Sequence, residues 1–237
     1  MATYTIKKAS NQNDLASLAC QTIASHIAAA LHKRERIQIA VSGGSTPRDT
    51  YRLLAQEYLP WDRVDLFLGD ERWVSHNDEG SNARMIRKTL LASSPGNMCR
   101  FHIVPTVELL SPEESAKAFS RMLKKTCIGT PPIFDLILLG LGDDGHTASL
   151  FPESHSLTIK DTWTTVGSVK GVDRITLTAP VLSAARKVFF LVSGASKYIA
   201  LKRLLDPSES VHRTPARLVQ PCSEITILAD DAAASLV

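Results

Sequence analysis

Several absences narrow the reading first. Four cysteines occur in 237 residues, Cys20, Cys99, Cys127 and Cys222. They are far apart and form no C-x-x-C pair, which argues against a disulfide framework; reduced thiols in a cytoplasmic protein are expected. No apolar run approaches the ~20 residues that cross a bilayer, and the opening M-A-T-Y-T-I-K-K has no apolar signal core. Charge of one sign is barely in excess. The formal net charge is +3 and the charges are scattered, so neither a nucleic-acid footprint nor a membrane anchor is indicated. The basic stretch His32 to Arg36 reads as a solvated helix end, where cations complement the helix dipole. Repeats, low-complexity tracts and long Pro/Gly/Ser linkers are also missing, and one domain over residues 1–237 is expected.

Motif absences exclude further classes. There is no G-x-G-x-x-G for a dinucleotide, no G-x-x-x-x-G-K for a nucleoside triphosphate, and no G-x-S-x-G for a serine nucleophile. His26, His32, His76, His102, His155 and His212 show no metal-ligand spacing such as H-E-x-x-H. No metal or cofactor is expected.

What is present reads as alternating strands and helices. With 44% hydrophobic residues the chain can bury a full core. Apolar residues at helical spacing from Asn11 to Lys33 predict a long amphipathic helix before the first core strand. Strands are predicted over Ile37–Ser42, Val64–Gly69, Arg100–Val104, Phe134–Gly140 and Lys187–Ser193. Helices are predicted over Pro47–Glu57, Glu79–Leu91, Glu113–Lys125 and Ser196–Leu205. This order predicts an α/β fold with a doubly wound, mostly parallel, Rossmann-like sheet covered by helices on both faces. Trp163–Val169 and Arg174–Thr178, around a Lys170–Asp173 turn, read as a small appended β-hairpin. Glu224–Ala229 would add a late strand, and Asp206–Pro215 is the best candidate for a mobile loop.

The most telling segment is I-F-D-L-I-L-L-G-L-G-D-D-G-H-T-A-S-L-F-P, Ile133 to Pro152. A strand buried on both faces runs into a glycine-rich turn carrying Asp143, Asp144 and His146, and ligands of parallel sheets sit beyond strand carboxyl ends. The plainer reading is that the glycines turn the chain and one acid caps the next helix. A cap needs one carboxylate, however, and histidine titrates near neutrality with two acids close enough to orient it. Three other strand ends carry polar groups. In I-A-V-S-G-G-S-T-P, Ser42, Gly43, Gly44, Ser45 and Thr46 form a small anion cradle before Pro47 opens a helix, although the segment is also a good capping sequence. V-D-L-F-L-G-D-E-R-W-V delivers Asp70, Glu71 and Arg72, either surface charge or a bidentate anion grip by Arg72. V-F-F-L-V-S-G-A-S-K places Lys197 in a first helical turn, where it opposes the dipole unless an anion lies between them. Arg217 is a weaker candidate, since a lone loop arginine is usually solvated.

Taken together, S-G-G-S-T-P, L-G-D-E-R-W-V with Ser81 and Asn82, G-L-G-D-D-G-H-T-A-S-L-F-P and S-G-A-S-K resemble the 6-phosphogluconolactonase family. The match runs from about Ile37 to Pro221 in the family's order. The resemblance implies a cytosolic, metal-independent hydrolase opening 6-phosphoglucono-1,5-lactone in the oxidative pentose phosphate pathway. It implies His146 as general base and Asp144 as its orienting acid. The Ser42–Thr46 cradle, Arg72 and Lys197 would hold the phosphate, with Asp70 at the substrate and Arg217 a helper. Asp144 is taken over Asp143 because it belongs to the D-G-H unit. Backbone N–H groups near Gly43 or Gly44 are the candidate oxyanion donors. The expected partner is a small phosphorylated sugar lactone, with no nucleic acid or membrane, and the chain is expected to be a monomer or a weak homodimer. Two other readings stand beside this one. The glucosamine-6-phosphate deaminase/isomerase family shares the S-G-G-S/T turn and the D-G-H element, but usually continues D-G-H-I-A-F-N-E-P and carries D-E-Y. A non-catalytic sugar-phosphate sensor would have no chemical need for the His146 and Asp144 pairing.

Overall fold

The computed structural model describes residues 2–235 and 237. The chain begins with strand β1 (Tyr4–Ala9), helix α1 (Gln12–Lys33), β2 (Ile37–Val41), α2 (Ser45–Leu54), β3 (Val64–Leu68), β4 (Asp70–Arg72) and α3 (Asn82–Arg87). It continues through β5 (Arg100–Phe101), α4 (Pro112–Thr126), β6 (Leu136–Gly140), β7 (Thr164–Val169), β8 (Val172–Leu177), α5 (Ala179–Ser183), β9 (Val188–Val192), α6 (Tyr198–Leu205) and β10 (Ile225–Asp230). Seven strands form one sheet in the order β1-β10-β9-β6-β2-β3-β5, and every pair is parallel. All five residues of β2, of β3 and of β9 are buried. Burial at every position, rather than at alternate ones, requires cover on both faces, as the largely apolar runs predict, interrupted only by Gln38 in β2 and Asp65 in β3.

From β2 the chain winds outward through β3 and β5, then returns to β6 on the other side of β2 and winds outward through β9 and β10. The switch in direction therefore lies between β2 and β6, and a crevice opens there at the strand carboxyl ends. This geometry puts the S-G-G-S turn and the histidine turn side by side, flanked by the ends of β3 and β9.

Local chemistry explains the helix starts. Asn11 caps α1 by accepting from the Asn13 and Asp14 amides at 2.9 and 3.0 Å, worth about 1 kcal/mol. Ser111 accepts from the Glu114 amide, with Pro112 at the first helical position. No described helix is long and apolar enough to cross a membrane.

Five features depart from the sequence reading. β1 was not expected; it is an edge strand with no fully buried residue, so it carries no apolar run to betray it. α5 was not expected either, and α3 is shorter than Glu79–Leu91, because Ser81 caps it by accepting from the Arg84 amide. The appended hairpin gains a third strand: β4, carrying the D-E-R motif, pairs antiparallel with β8 in the order β4-β8-β7. Its turn is only Lys170-Gly171, both at positive φ (52° and 76°), which suits a two-residue turn between twisted strands. Finally, Asp206–Pro215 is docked rather than loose. Glu209 is buried with bonds from Arg213 and Thr214, and Thr214 packs on Gly145 so closely that a β-carbon there would meet it at 3.0 Å. The loop thus buttresses the histidine turn from behind, and the Ala216 amide ties it to the Gly145 carbonyl at 3.0 Å.

Candidate active site

The strand ends converge on a cavity of about 220 Å³ whose wall includes Ser42 to Thr46, Asp70, Arg72, His146 and Lys197. Of the site residues expected from sequence, these nine face one space. Asp144 stands behind His146. Its Oδ1 accepts from the His146 ring at Nδ1 (2.6 Å) and from the His146 amide (3.0 Å). Burial pushes the Asp144 carboxyl up, but these bonds outweigh it and hold the group down at about 2. A charged acceptor at Nδ1 fixes the proton of the neutral ring there and leaves the Nε2 lone pair as the base. The approach is possible because residue 142 is glycine: a β-carbon would lie 2.0 Å from His146 Nδ1. The ring also rests on Phe151, with centroids 4.7 Å apart.

The two adjacent acids have separate duties. Asp143 turns away from the histidine, pairs with Lys197 and accepts from Ser196 Oγ at 3.2 Å. The Lys197 bond is the main cause holding the Asp143 carboxyl below its ordinary value. The anion predicted between Lys197 and its helix start is therefore, in this structure, supplied by the chain itself.

The S-G-G-S turn leaves its glycine amides and the Ser42 hydroxyl without internal partners among the described residues. Gly44 precedes α2 at φ 108° and no side chain caps the helix, while the Gly43 and Gly44 amides find no acceptor among the described residues. Ser42 Oγ lines the cavity, buried and without a hydrogen-bond partner. A helix start with free amides and an orphan hydroxyl fits an anion. Tyr51 fixes the turn by donating its phenol to the Ser42 carbonyl at 2.8 Å. Gly43 has a second reason to be glycine: a β-carbon would strike Asn82 Oδ1 at 1.8 Å.

The D-E-R motif divides its labour likewise. Glu71 is buried and serves the backbone, accepting from the Arg72, Asn82 and Ala83 amides and from Ser81 Oγ at 2.7–3.0 Å. Asp70 lines the cavity, but Oδ2 accepts from Ser149 at 2.6 Å and its backbone carbonyl takes the Asn82 amide group at 2.8 Å. It is an organising carboxylate rather than a free base. Arg72 donates to the Gly80 carbonyl at 2.8 Å and to Asn82 Oδ1 at 2.5 Å.

Among the wall residues not assigned to the site from sequence, Asn82 and Arg174 bear on the anion grip. Arg174 stands directly opposite Arg72 in the β4/β8 register. Like charges so paired repel. Burial lowers the pKa of Arg174, and its Nε has no partner, although Asp70 lies at 3.8 Å. An anion between the two guanidinium groups would satisfy both. The one signal in the sequence was an arginine inside a strand, V-D-R-I-T-L. Arg217, by contrast, is not in the cavity wall; it donates to the Pro207 carbonyl at 3.1 Å on the loop behind the histidine turn.

Residues 10–228 match the family model of glucosamine-6-phosphate isomerases/6-phosphogluconolactonase. A 6-phosphogluconolactonase of Synechocystis sp. is 41% identical over 226 residues, 94% of each chain. The solved 6-phosphogluconolactonase of Trypanosoma brucei superposes with a TM-score of 0.88 at 28% identity, covering 100% of both chains. A solved monomeric glucosamine-6-phosphate deaminase reaches 0.81 at 21% identity over 98% of this chain and 100% of its own, so the fold is common to both activities. The strand order, the four motifs at the switch point and the match over most of the chain agree: this chain belongs to the glucosamine-6-phosphate isomerase/6-phosphogluconolactonase family.

Proposed function

We propose that the chain hydrolyses the ring ester of 6-phosphoglucono-1,5-lactone to 6-phosphogluconate, the activity named for its lactonase relatives. The observation that carries this reading is the Asp144–His146 pair, whose histidine lines a cavity that Arg72, Arg174 and Lys197 also wall.

A lactone carbonyl is already electrophilic, so a base and an anchor suffice as machinery. His146 Nε2 takes a proton from water as the water oxygen bonds to the lactone carbonyl carbon. Asp144 carries the charge that balances the resulting imidazolium. The tetrahedral intermediate then collapses, the bond from the carbonyl carbon to the ring oxygen breaks, and the imidazolium returns its proton to that oxygen. The products are a carboxylic acid, which ionises at neutral pH, and a hydroxyl, with His146 neutral again. The phosphate is held by the Ser42–Thr46 cradle with Lys197, Arg72 and Arg174. Lys197 leaves Asp143 for it or bridges the two. Asp70 and Asn82 fix the arginines. The D-G-H-T-A-S-L-F-P continuation and the Arg72 side chain, where deaminases carry D-G-H-I-A-F-N-E-P and D-E-Y, favour lactone opening over sugar isomerisation.

The test is consumption of freshly generated 6-phosphoglucono-1,5-lactone at neutral pH, with and without protein, beside unphosphorylated gluconolactone. Hydrolysis well above background and selective for the phosphorylated lactone is expected. No acceleration over background would refute the assignment, and ammonia release from glucosamine 6-phosphate would then be measured.

A further inference from the structure

The cavity does not end at Arg72. A second groove of about 410 Å³ continues from it along α2 and α3, reaching Arg52 in the last turn of α2 and Lys88 just past the end of α3, and the two share Gly44, Ser45, Arg72 and Asn82. Beyond those shared residues the groove adds Arg48, Arg52, Arg84 and Lys88 against a single wall carboxylate, Glu79. Glu79 pairs with Arg84 at 3.3 Å, and Asp49 pairs with Arg52 at 2.7 Å. Arg48 and Lys88 have no carboxylate partner among the described residues. Arg48 stands in the first turn of α2, where a cation opposes the helix dipole, so helix stability does not account for it. A lactone with one phosphate, anchored at the start of α2, has no second anion to place there. The excess of cations thus exceeds what the proposed reaction needs.

We propose that this groove is a subsite for a second phosphate group, so that a ligand with two linked phosphates binds across both cavities and competes with the lactone. The chemistry is that of a condensed phosphate, whether free or as the diphosphate end of a nucleotide. Free N–H groups at the start of α2 and Arg72 take the first phosphate. Arg48 and Lys88, lying beyond the shared wall, take the second through charge-assisted hydrogen bonds. This inference rests on the reading that the first cavity anchors the substrate phosphate.

The experiment measures inhibition of lactone hydrolysis by orthophosphate, pyrophosphate and ADP at one ionic strength. It compares the unmodified chain with the double variant Arg48→Gln, Lys88→Gln and with Arg48→Lys. Pyrophosphate is expected to compete with the lactone about tenfold more strongly than orthophosphate. The double variant should lose that advantage while its kcat and KM stay unchanged, and Arg48→Lys should keep most of it. ADP matching pyrophosphate would mark the nucleotide as the ligand; ADP binding more weakly would mark free condensed phosphate. Pyrophosphate no better than orthophosphate, or an advantage that survives in the double variant, overturns the subsite. If orthophosphate does not compete with the lactone, the anchor reading fails on its own. Calorimetric binding of pyrophosphate, lost or retained in the double variant, then still decides the groove.

Discussion

Replacing Asp144 with asparagine removes the charge beside His146 while keeping the shape of the turn. The Asp144 carboxyl sits at about 2, against 3.8 for an ordinary aspartate. That difference corresponds to about 2.4 kcal/mol in favour of the charged form. Half of the side chain is exposed (50%), so solvent screening reduces the useful part to about 1 kcal/mol. If that energy supports the imidazolium in the transition state, its loss costs about fivefold in rate. The ring also loses the acceptor that orients it, and the expected fall in kcat for Asp144→Asn is about 5- to 50-fold. His146→Ala should cost far more, roughly 10²- to 10⁴-fold, the range for a general base. Asp143→Asn should spare kcat and act on KM, because Asp143 holds Lys197 rather than the histidine. Acid release in a pH-stat, corrected for spontaneous hydrolysis, reads all three. The reasoning fails if Asp144→Asn is as damaging as His146→Ala, if it leaves kcat unchanged, or if Asp143→Asn is the more harmful asparagine. Stability gives an independent check. Because the folded carboxyl is depressed, its contribution is present above the ordinary value of 3.8 and disappears as pH falls through about 2. The stability gap between the unmodified chain and Asp144→Asn should therefore be flat above about pH 5 and close between about pH 4 and 2.

Arg174→Gln should raise KM for the phosphorylated lactone by about 10- to 100-fold, the cost of one charge-assisted hydrogen bond, and leave unphosphorylated gluconolactone unaffected; equal effects on both would remove Arg174 from the phosphate anchor. Glu71→Gln should destabilise the fold by about 2–4 kcal/mol, because buried amides lose a charged acceptor; hydrogen exchange in α3 should rise first, and a denaturation midpoint equal to the unmodified chain would contradict the role. Lys170→Asn should stabilise by about 0.5–1 kcal/mol, since asparagine tolerates the left-handed conformation better than lysine; urea unfolding showing a loss instead would mean that the Lys170 side chain makes a contact of value.

The core of the fold was legible because its signal is local. β2, β3, β6 and β9 are largely apolar runs, with only Gln38 in β2 and Asp65 in β3 as exceptions, closed by glycine or serine, and such runs alternating with helical periodicity leave little choice but a parallel sheet. The motifs were legible for the same reason: each sits at the end of one of those strands. The β1 edge strand and the three-residue β4 were not, because neither carries an apolar run and both exist only through pairing, β1 with β10 and β4 with β8. Arg217 shows the opposite error. A basic residue close to the site in sequence order is turned elsewhere by its loop, and only the packing of Thr214 on Gly145 reveals that the loop is a buttress.

By itself the sequence determined the fold class, the four strand-end motifs and their residence at one edge of the sheet, since covalent order and hydrophobic period specify these directly. The tertiary structure alone decided the pairings. It gave Asp143 to Lys197, set Arg174 across from Arg72, and made Asn82 the reason that residue 43 has no side chain. Each of these depends on contacts between separate strands and loops, at distances of a few ångströms, that no spacing along the chain encodes.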